Sequence, residues 1–379
     1  MPGFRRIIVA VGAAVCALAA SAVPQAQAAP RQARPPAQWR VAQAFEGQPF
    51  YFLDTMTAPG LSDAWAFGYG RNGTALAVHW NGKTWTASYP FGNVQEVREA
   101  ASSKPDNVWV AGSCVPYVSR WNGRRWTTTT LNELNACISS VVTTGPDNGW
   151  LFTDFAPSTT AVHFNGTTWQ TVTLGNFGRV AAASAVSAKD IWLLTFTTSA
   201  KTLLVHFNGT TWQKAAVPAP SLPKGDVLIP QALTTAGARS VWATVQIITN
   251  QDMSPSSPPD SLLLHWNGRA WTWIPLPGSD EAQPAIAPDG ASGAWVLGSC
   301  VTKGVSPAHY CFLHWTGRGW TAQLAPTQGI PGTKVTTYDV FSLAHIPGTR
   351  SVLASGMADY NPPSGPTAAA AVIYSYGRP

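Results

Sequence analysis

Five histidines share one local context: His79, His163, His206, His265 and His314 each precede an aromatic residue, then Asn or Thr, then Gly. Imidazole is a common metal ligand and carries protons near neutral pH, so such a set could hold a transition metal. Other residue types could do different chemistry. Asp54, Glu96 and Asp339 could supply the acid and base of glycoside hydrolysis, while Arg179, Gln231 and Gln283 offer donors and acceptors to sugar hydroxyls. Tyr69, Phe91, Tyr117, Phe155, Phe177, Tyr310 and Tyr360 could stack on a sugar ring. Which chemistry is available depends on the elements that place these groups.

The histidine context is part of a longer period. HFNGTTWQ occurs at 163–170 and again at 206–213, and looser copies close at Trp85, Trp126, Trp271 and Trp320. The closing tryptophans Trp85, Trp126, Trp169, Trp212, Trp271 and Trp320 are spaced by 41, 43, 43, 59 and 49 residues. Upstream of each, a polar turn leads into a second tryptophan opening an apolar run, as in SDAWAFG, PDNVWVAG and SGAWVLG. Of 18 tryptophans only Trp273 falls outside this pattern. Each unit reads as four short strands, the last two joined by Asn-Gly, a strong hairpin signal because both residues tolerate positive φ. Four antiparallel strands every 40 to 50 residues make a propeller blade.

A seventh unit spans 338–379, with PGTRSVLASG and AAAAVIYSYG as its second and third strands and Tyr376-Gly377 at the place of Asn-Gly. Its fourth strand is missing from that end and present at the other, in Gln38-Trp39-Arg40-Val41-Ala42. The expected fold is therefore all-β: a seven-bladed β-propeller of four-stranded antiparallel blades, closed by the N-terminal strand so that no open edge remains. The domains expected are a signal peptide at 1–28, a Pro-rich segment at 29–37 and one propeller at 38–379.

The glycine-ended strand, the aromatic-bearing apolar strand and the Trp that follows resemble the kelch repeat and the propeller of galactose-oxidase-like proteins. The unit looks most like an actinobacterial secreted propeller repeat, DxWxxG followed by HWNGxxW, over residues 38–379. It departs from kelch in having one Gly where kelch has two, and Trp or Phe in place of Tyr. Galactose-oxidase-like copper chemistry would imply a thioether-forming Cys with Tyr and His ligands, and a sialidase would imply three arginines about the axis. The cysteines here are expected to be paired, His309 and His345 show no such set, and Arg71, Arg98 and Arg179 match no sialidase motif.

Placed on blades, the five histidines belong to third strands, away from the axis, and face different seams. They are expected to make hydrogen bonds within their own blades and to hold no metal. Asp63, Asp106, Asp147 and Asp190 repeat before the second strand and are assigned to turns; Asn72, Asn165 and Asn208 begin Asn-Gly-Thr sequons that the hairpin already explains. Function is expected where blades differ, in the loops between strands two and three and between blades, which share one face. The largest are TNQDMSPSSPPDS, PAPSLPKGD, CVTKGVSPAHYC and MADYNPPSGPT. The candidate binding residues on that face are Asp54, Tyr69, Glu96, Phe155, Arg179, Gln231, Gln283, Asp339 and Tyr360. Cys114 is expected to pair with Cys137, and Cys300 with Cys311.

Residues 1–28 read as a secretory signal: Arg5 and Arg6, an apolar run Ile7 to Val23, and Ala26-Gln27-Ala28 for cleavage. Without them 22 basic residues face 18 acidic ones, a net charge of +4 lacking clusters, which gives no support to a nucleic-acid partner. No later stretch is long and apolar enough to span a membrane. The expectation is a secreted, monomeric, non-catalytic propeller without cofactors that binds an extracellular carbohydrate or protein. The alternative is a secreted polysaccharide hydrolase or lyase using acidic residues near the axis.

Overall fold

The Asn-Gly repeat forms a tight turn at each hairpin in the structure. In a computed structural model, residues 37–378 are described apart from 47–49, 71–72, 92–95, 116, 132–133, 135, 156–157, 250–259, 278–284, 301–308 and 333. The signal and most of the Pro-rich segment lie outside these, as do Arg71, Asn72, Gln283 and most of the fifth- and sixth-blade insertions. In the hairpins Asn81, Asn122, Asn165, Asn208 and Asn267 each accept two backbone N–H groups through Oδ1 at 2.9 to 3.1 Å. The following Gly has φ between 84° and 98° in these turns, a region costly for any residue with a Cβ. That glycine also sits on the turn between strands one and two: a Cβ at Gly123 or Gly166 would lie 3.0 Å from the Cβ of Asp106 or Asp147.

This corrects the reading of the repeating aspartates. Asp106 and Asp147 lie under the glycine, and the neighbouring Asn107 and Asn148 take the role that Asp63 and Asp190 play in their blades. Asp63, Asn107 and Asp190 accept a hydrogen bond from the indole N–H of Trp65, Trp109 and Trp192 at 2.7 to 2.9 Å. The same polar position meets the histidine: His79 on Asp63 at 3.2 Å, His163 on Asn148 at 2.7 Å and His206 on Asp190 at 2.9 Å. His314 reaches Asp289 at 2.9 Å. Each histidine also stacks on its blade's second-strand tryptophan, with ring centroids 3.5 to 4.2 Å apart. In the second blade Arg120 replaces it, its guanidinium 4.4 Å from the Trp109 ring.

Seven four-stranded antiparallel sheets result. The innermost strands are Phe50–Gly60, Glu99–Lys104, Ile138–Gly145, Arg179–Ser187, Asp226–Gly237, Ile286–Pro288 and Lys334–His345. Neighbouring blades are fastened by tryptophans: the closing Trp of one blade packs on the second-strand Trp of the blade before it. The pairs Trp126–Trp65, Trp169–Trp109, Trp212–Trp150 and Trp271–Trp192 have centroids 5.3 to 5.8 Å apart at steep angles. Toward the axis, hydroxyls join adjacent inner strands, Thr57 to Ser102 at 2.6 Å and Ser184 to Thr235 at 2.9 Å.

The strand Trp39–Glu46 completes the seventh blade by pairing antiparallel with Ala368–Tyr376. Trp39 is 3% exposed, stacks on Phe312 at 3.7 Å and meets Trp295 edge-on at 5.3 Å, repeating the closing-Trp contact across the join. One detail differs from the sequence reading. Trp39 pairs with Tyr376 as Trp85 pairs with Trp80, so Tyr376 occupies the place of the aromatic that ends strand three, not that of the turn Asn.

Candidate functional site

The seven inner strands are rich in Ala, Ser and Thr, and small side chains facing the axis leave a channel. Two joined cavities follow it. One, about 360 Å³, lies at the end of the first-to-second-strand turns, lined by groups such as Thr57, Ser103, Thr143 and His345. The other, about 330 Å³, opens at the end where inner strands begin, on the loop-rich face; Asp54, Arg98, Glu99, Gln231 and Phe341 are in its wall. Both touch Ala100, Val141, Ala183, Ile286 and Leu343, so they are halves of one passage.

Charge is concentrated in the second cavity. Arg98 holds two carboxylates: its Nη1 lies 2.9 Å from Asp54 Oδ2, and its Nε donates to Glu96 Oε2 at 3.4 Å. The first contact is an ion pair, off the line of a hydrogen bond. The other Glu96 oxygen accepts the Ser113 N–H at 3.3 Å, and the backbone carbonyl of Glu96 accepts the Tyr117 hydroxyl. The guanidinium carbon is also 5.8 Å from the Tyr69 ring, which leans on Phe52. The Cys114–Cys137 disulfide ties down the loop that carries Ser113.

Glu99, next to this group, forms no hydrogen bond or ion pair among the described residues. Burial in the channel wall, with the Asp54 charge adding to it and Arg98 opposing, pushes its carboxyl to about 8. Asp54 is raised to about 6, chiefly by burial, with Arg98 opposing and Glu96 reinforcing the rise. At neutral pH the mouth therefore presents a protonated Glu99, which can donate and accept, beside an Asp54 held ionised by Arg98. Such a set can bind hydroxyls and amides. A raised carboxyl beside an ionised one is also what acid–base chemistry requires.

The structure distributes the sequence-named residues unequally. Asp54, Tyr69 and Glu96 come together through Arg98. Gln231 lies with Asp54 and Arg98 in the cavity wall, and its amide N–H donates to Gln246 at 3.4 Å. Asp339, paired with Met357, stands on an inner strand but outside that wall. Arg179 is exposed, its guanidinium 5.2 Å from the Phe196 ring. Phe155 is 53% exposed, whereas Tyr360 is 5% exposed and belongs to the core between blades six and seven. Gln283 lies outside the described residues. Sequence reasoning did not single out Glu99 and set Arg98 aside; the available signal was the charged pair Arg98-Glu99 leading into a first strand, EAASSK, whose middle is small. Among the described residues no cluster of three His, Cys, Asp or Glu side chains is arranged to hold a metal. Both disulfides join the expected partners, Cys114 with Cys137 and Cys300 with Cys311.

No protein-family model matches the chain, and comparison with characterised proteins returns no similar sequence. Solved structures do resemble it. The virginiamycin B lyase from Staphylococcus aureus superposes with a TM-score of 0.58 at 10% identity, over 89% of this chain and 99% of that one. YCF48 bound to D1 peptide gives 0.56 at 12%, over 90% and 98%. The WD40 propeller domain of Doa1 gives 0.55 at 8%, over 89% and 97%. At these identities the likeness is one of fold alone: the chain is a β-propeller.

Proposed function

We propose that the protein is a secreted binding propeller that takes part of an extracellular carbohydrate or polypeptide into the channel mouth on its loop-rich face. One observation carries this reading: a polar cavity of about 330 Å³ whose wall holds a protonated Glu99, unpaired among the described residues, beside Gln231, the Asp54–Arg98 pair and the ring of Phe341. Amide and carboxyl groups beside an aromatic ring suit hydroxyl-bearing or amide-bearing ligands. The apolar run at 7–23 and two disulfides support a working place outside the cell. Fold likeness does not choose between binding and catalysis, since propellers similar to this one include a lyase and a peptide-bound protein.

A second reading rests on the same cavity. Glu99 and Asp54 titrate apart, and a polysaccharide hydrolase or lyase could use them as acid and base. The binding reading is preferred because Asp54 and Glu96 are both engaged by Arg98, which leaves one free carboxyl where hydrolysis calls for two.

The test is thermal unfolding of residues 29–379 against a panel of polysaccharides and peptides, with product analysis of every mixture. A ligand at 100 times its Kd adds about 2.7 kcal/mol of stability. A shift without product is the expected result; product would establish the second reading, and no shift from any member would contradict both.

A further inference from the structure

A separate cavity of about 450 Å³ opens between the fourth and fifth blades, away from the channel. Its size falls within the roughly 300–1,000 Å³ of small-molecule sites. The wall is apolar, with Leu194, Leu204, Val217, Leu228, Val245 and Trp273 among its side chains.

This cavity is built where the repeat breaks. Trp273 is the tryptophan without a repeat role, and its indole N–H donates to the Pro218 carbonyl at 2.8 Å, fixing the ring as a wall. Pro218 belongs to the segment that lengthens the spacing between Trp212 and Trp271 to 59 residues. Leu222 of that segment joins Trp273 and Leu228 in a small apolar cluster with Val245, Ile247 and Leu262, and Trp273 also packs on the seam cluster that holds Leu194 and Leu204. At the rim, the hairpin between strands two and three of blade four closes by hydrogen bonds between Thr197 and Lys201. Within it Ala200 has φ 56°, the one non-glycine residue at positive φ among those described. Glycine is the ordinary choice at such a position. Ala200 is in the cavity wall, so a methyl group stands there at a backbone conformation that favours glycine.

The rim carries two charges. Asp226 already has a partner. The Lys201 ammonium has none among the described residues, and the residue is exposed beside the opening.

We propose that this cleft binds a small apolar molecule bearing one acidic group, its rings or branched chain against Trp273 and Leu204 and its anion toward Lys201. The site is independent of the channel mouth. Two fluorescent probes of one shape test it: the anion 8-anilinonaphthalene-1-sulfonate and its neutral counterpart N-phenyl-1-naphthylamine. Both are expected to bind folded residues 29–379 at one site and to compete. Lys201→Gln should weaken the anion about five- to tenfold and leave the neutral probe unchanged. Val217→Phe, which fills the cleft, should weaken both; Ala200→Gly, which relaxes the hairpin and removes the methyl, should weaken both while the melting temperature holds or rises. The proposal is overturned if neither probe binds at one site, if Lys201→Gln affects the two alike, or if both cleft variants bind as wild type does.

Discussion

Glu99 carries the sharpest consequence of the channel geometry. Its carboxyl moves from 4.5 to about 8 on folding, so between those values the folded state holds a proton that the unfolded chain releases. Stability from this group is therefore present at low pH and is lost as pH rises toward 8. Asp54 acts in the same direction over a narrower window ending near 6. Glu99→Gln, which stays neutral, should raise the melting temperature by a few degrees at pH 8 and leave it unchanged at pH 4; calorimetry across that range checks the sign. Arg98→Ala should do the reverse at neutral pH, costing on the order of 2 kcal/mol, because it strands Asp54 and Glu96 near each other without their cation. At this scale the sequence was partly legible. Asp54 and Glu96 could be named because they sit where inner strands open. Their link through Arg98 could not, because it depends on the angle between two blades, and the neighbour Glu99 stands in register with small residues, Thr55, Ser140, Ala182 and Ala232, from which it differs in length and charge.

At the scale of the element, the blade is a hairpin pair secured at one end by Asn-Gly and at the other by loops free to vary. The hairpin was legible because its signal is local: an Asn side chain closes its own turn and Gly accepts φ near 90°. The role of Asn107 and Asn148 was less so, since Asp106 and Asp147 look like the repeat of Asp63 until the strand register is known. The closing strand follows the same logic as every other fourth strand. Deleting residues 37–46 should remove the Trp39 packing on Phe312 and Trp295, worth about 3 to 5 kcal/mol by itself. It should also expose the edge of Ala368–Tyr376. The expected result is a melting temperature lower on the order of 10 °C, with association on gel filtration; an unchanged melt would contradict the closure. Replacing Cys114 and Cys137 by Ser should cost about 3 kcal/mol through the freed unfolded chain, measurable by denaturant unfolding.

For the whole molecule, the repeat and the departures from it have different consequences. What repeats holds the ring together: tryptophan pairs between blades, histidine on tryptophan within them, hydroxyls around the axis. The number of blades and the closure could be counted from the sequence because each blade repeats one solution to the same packing problem. The sites could not be counted in this way, since a cavity is made by residues from several blades and by departures from the repeat. The wall of the mouth takes residues from all seven blades, its charged groups from the first and second, and the cleft beside Trp273 arises from an insertion between the fourth and fifth. The measurement closest to the central claim is a crystal structure of residues 29–379 with the strongest-shifting ligand of the panel. Density in the mouth, touching Glu99, Gln231 and Phe341, is the expected result. A ligand bound elsewhere, with the mouth holding only solvent, would contradict the account.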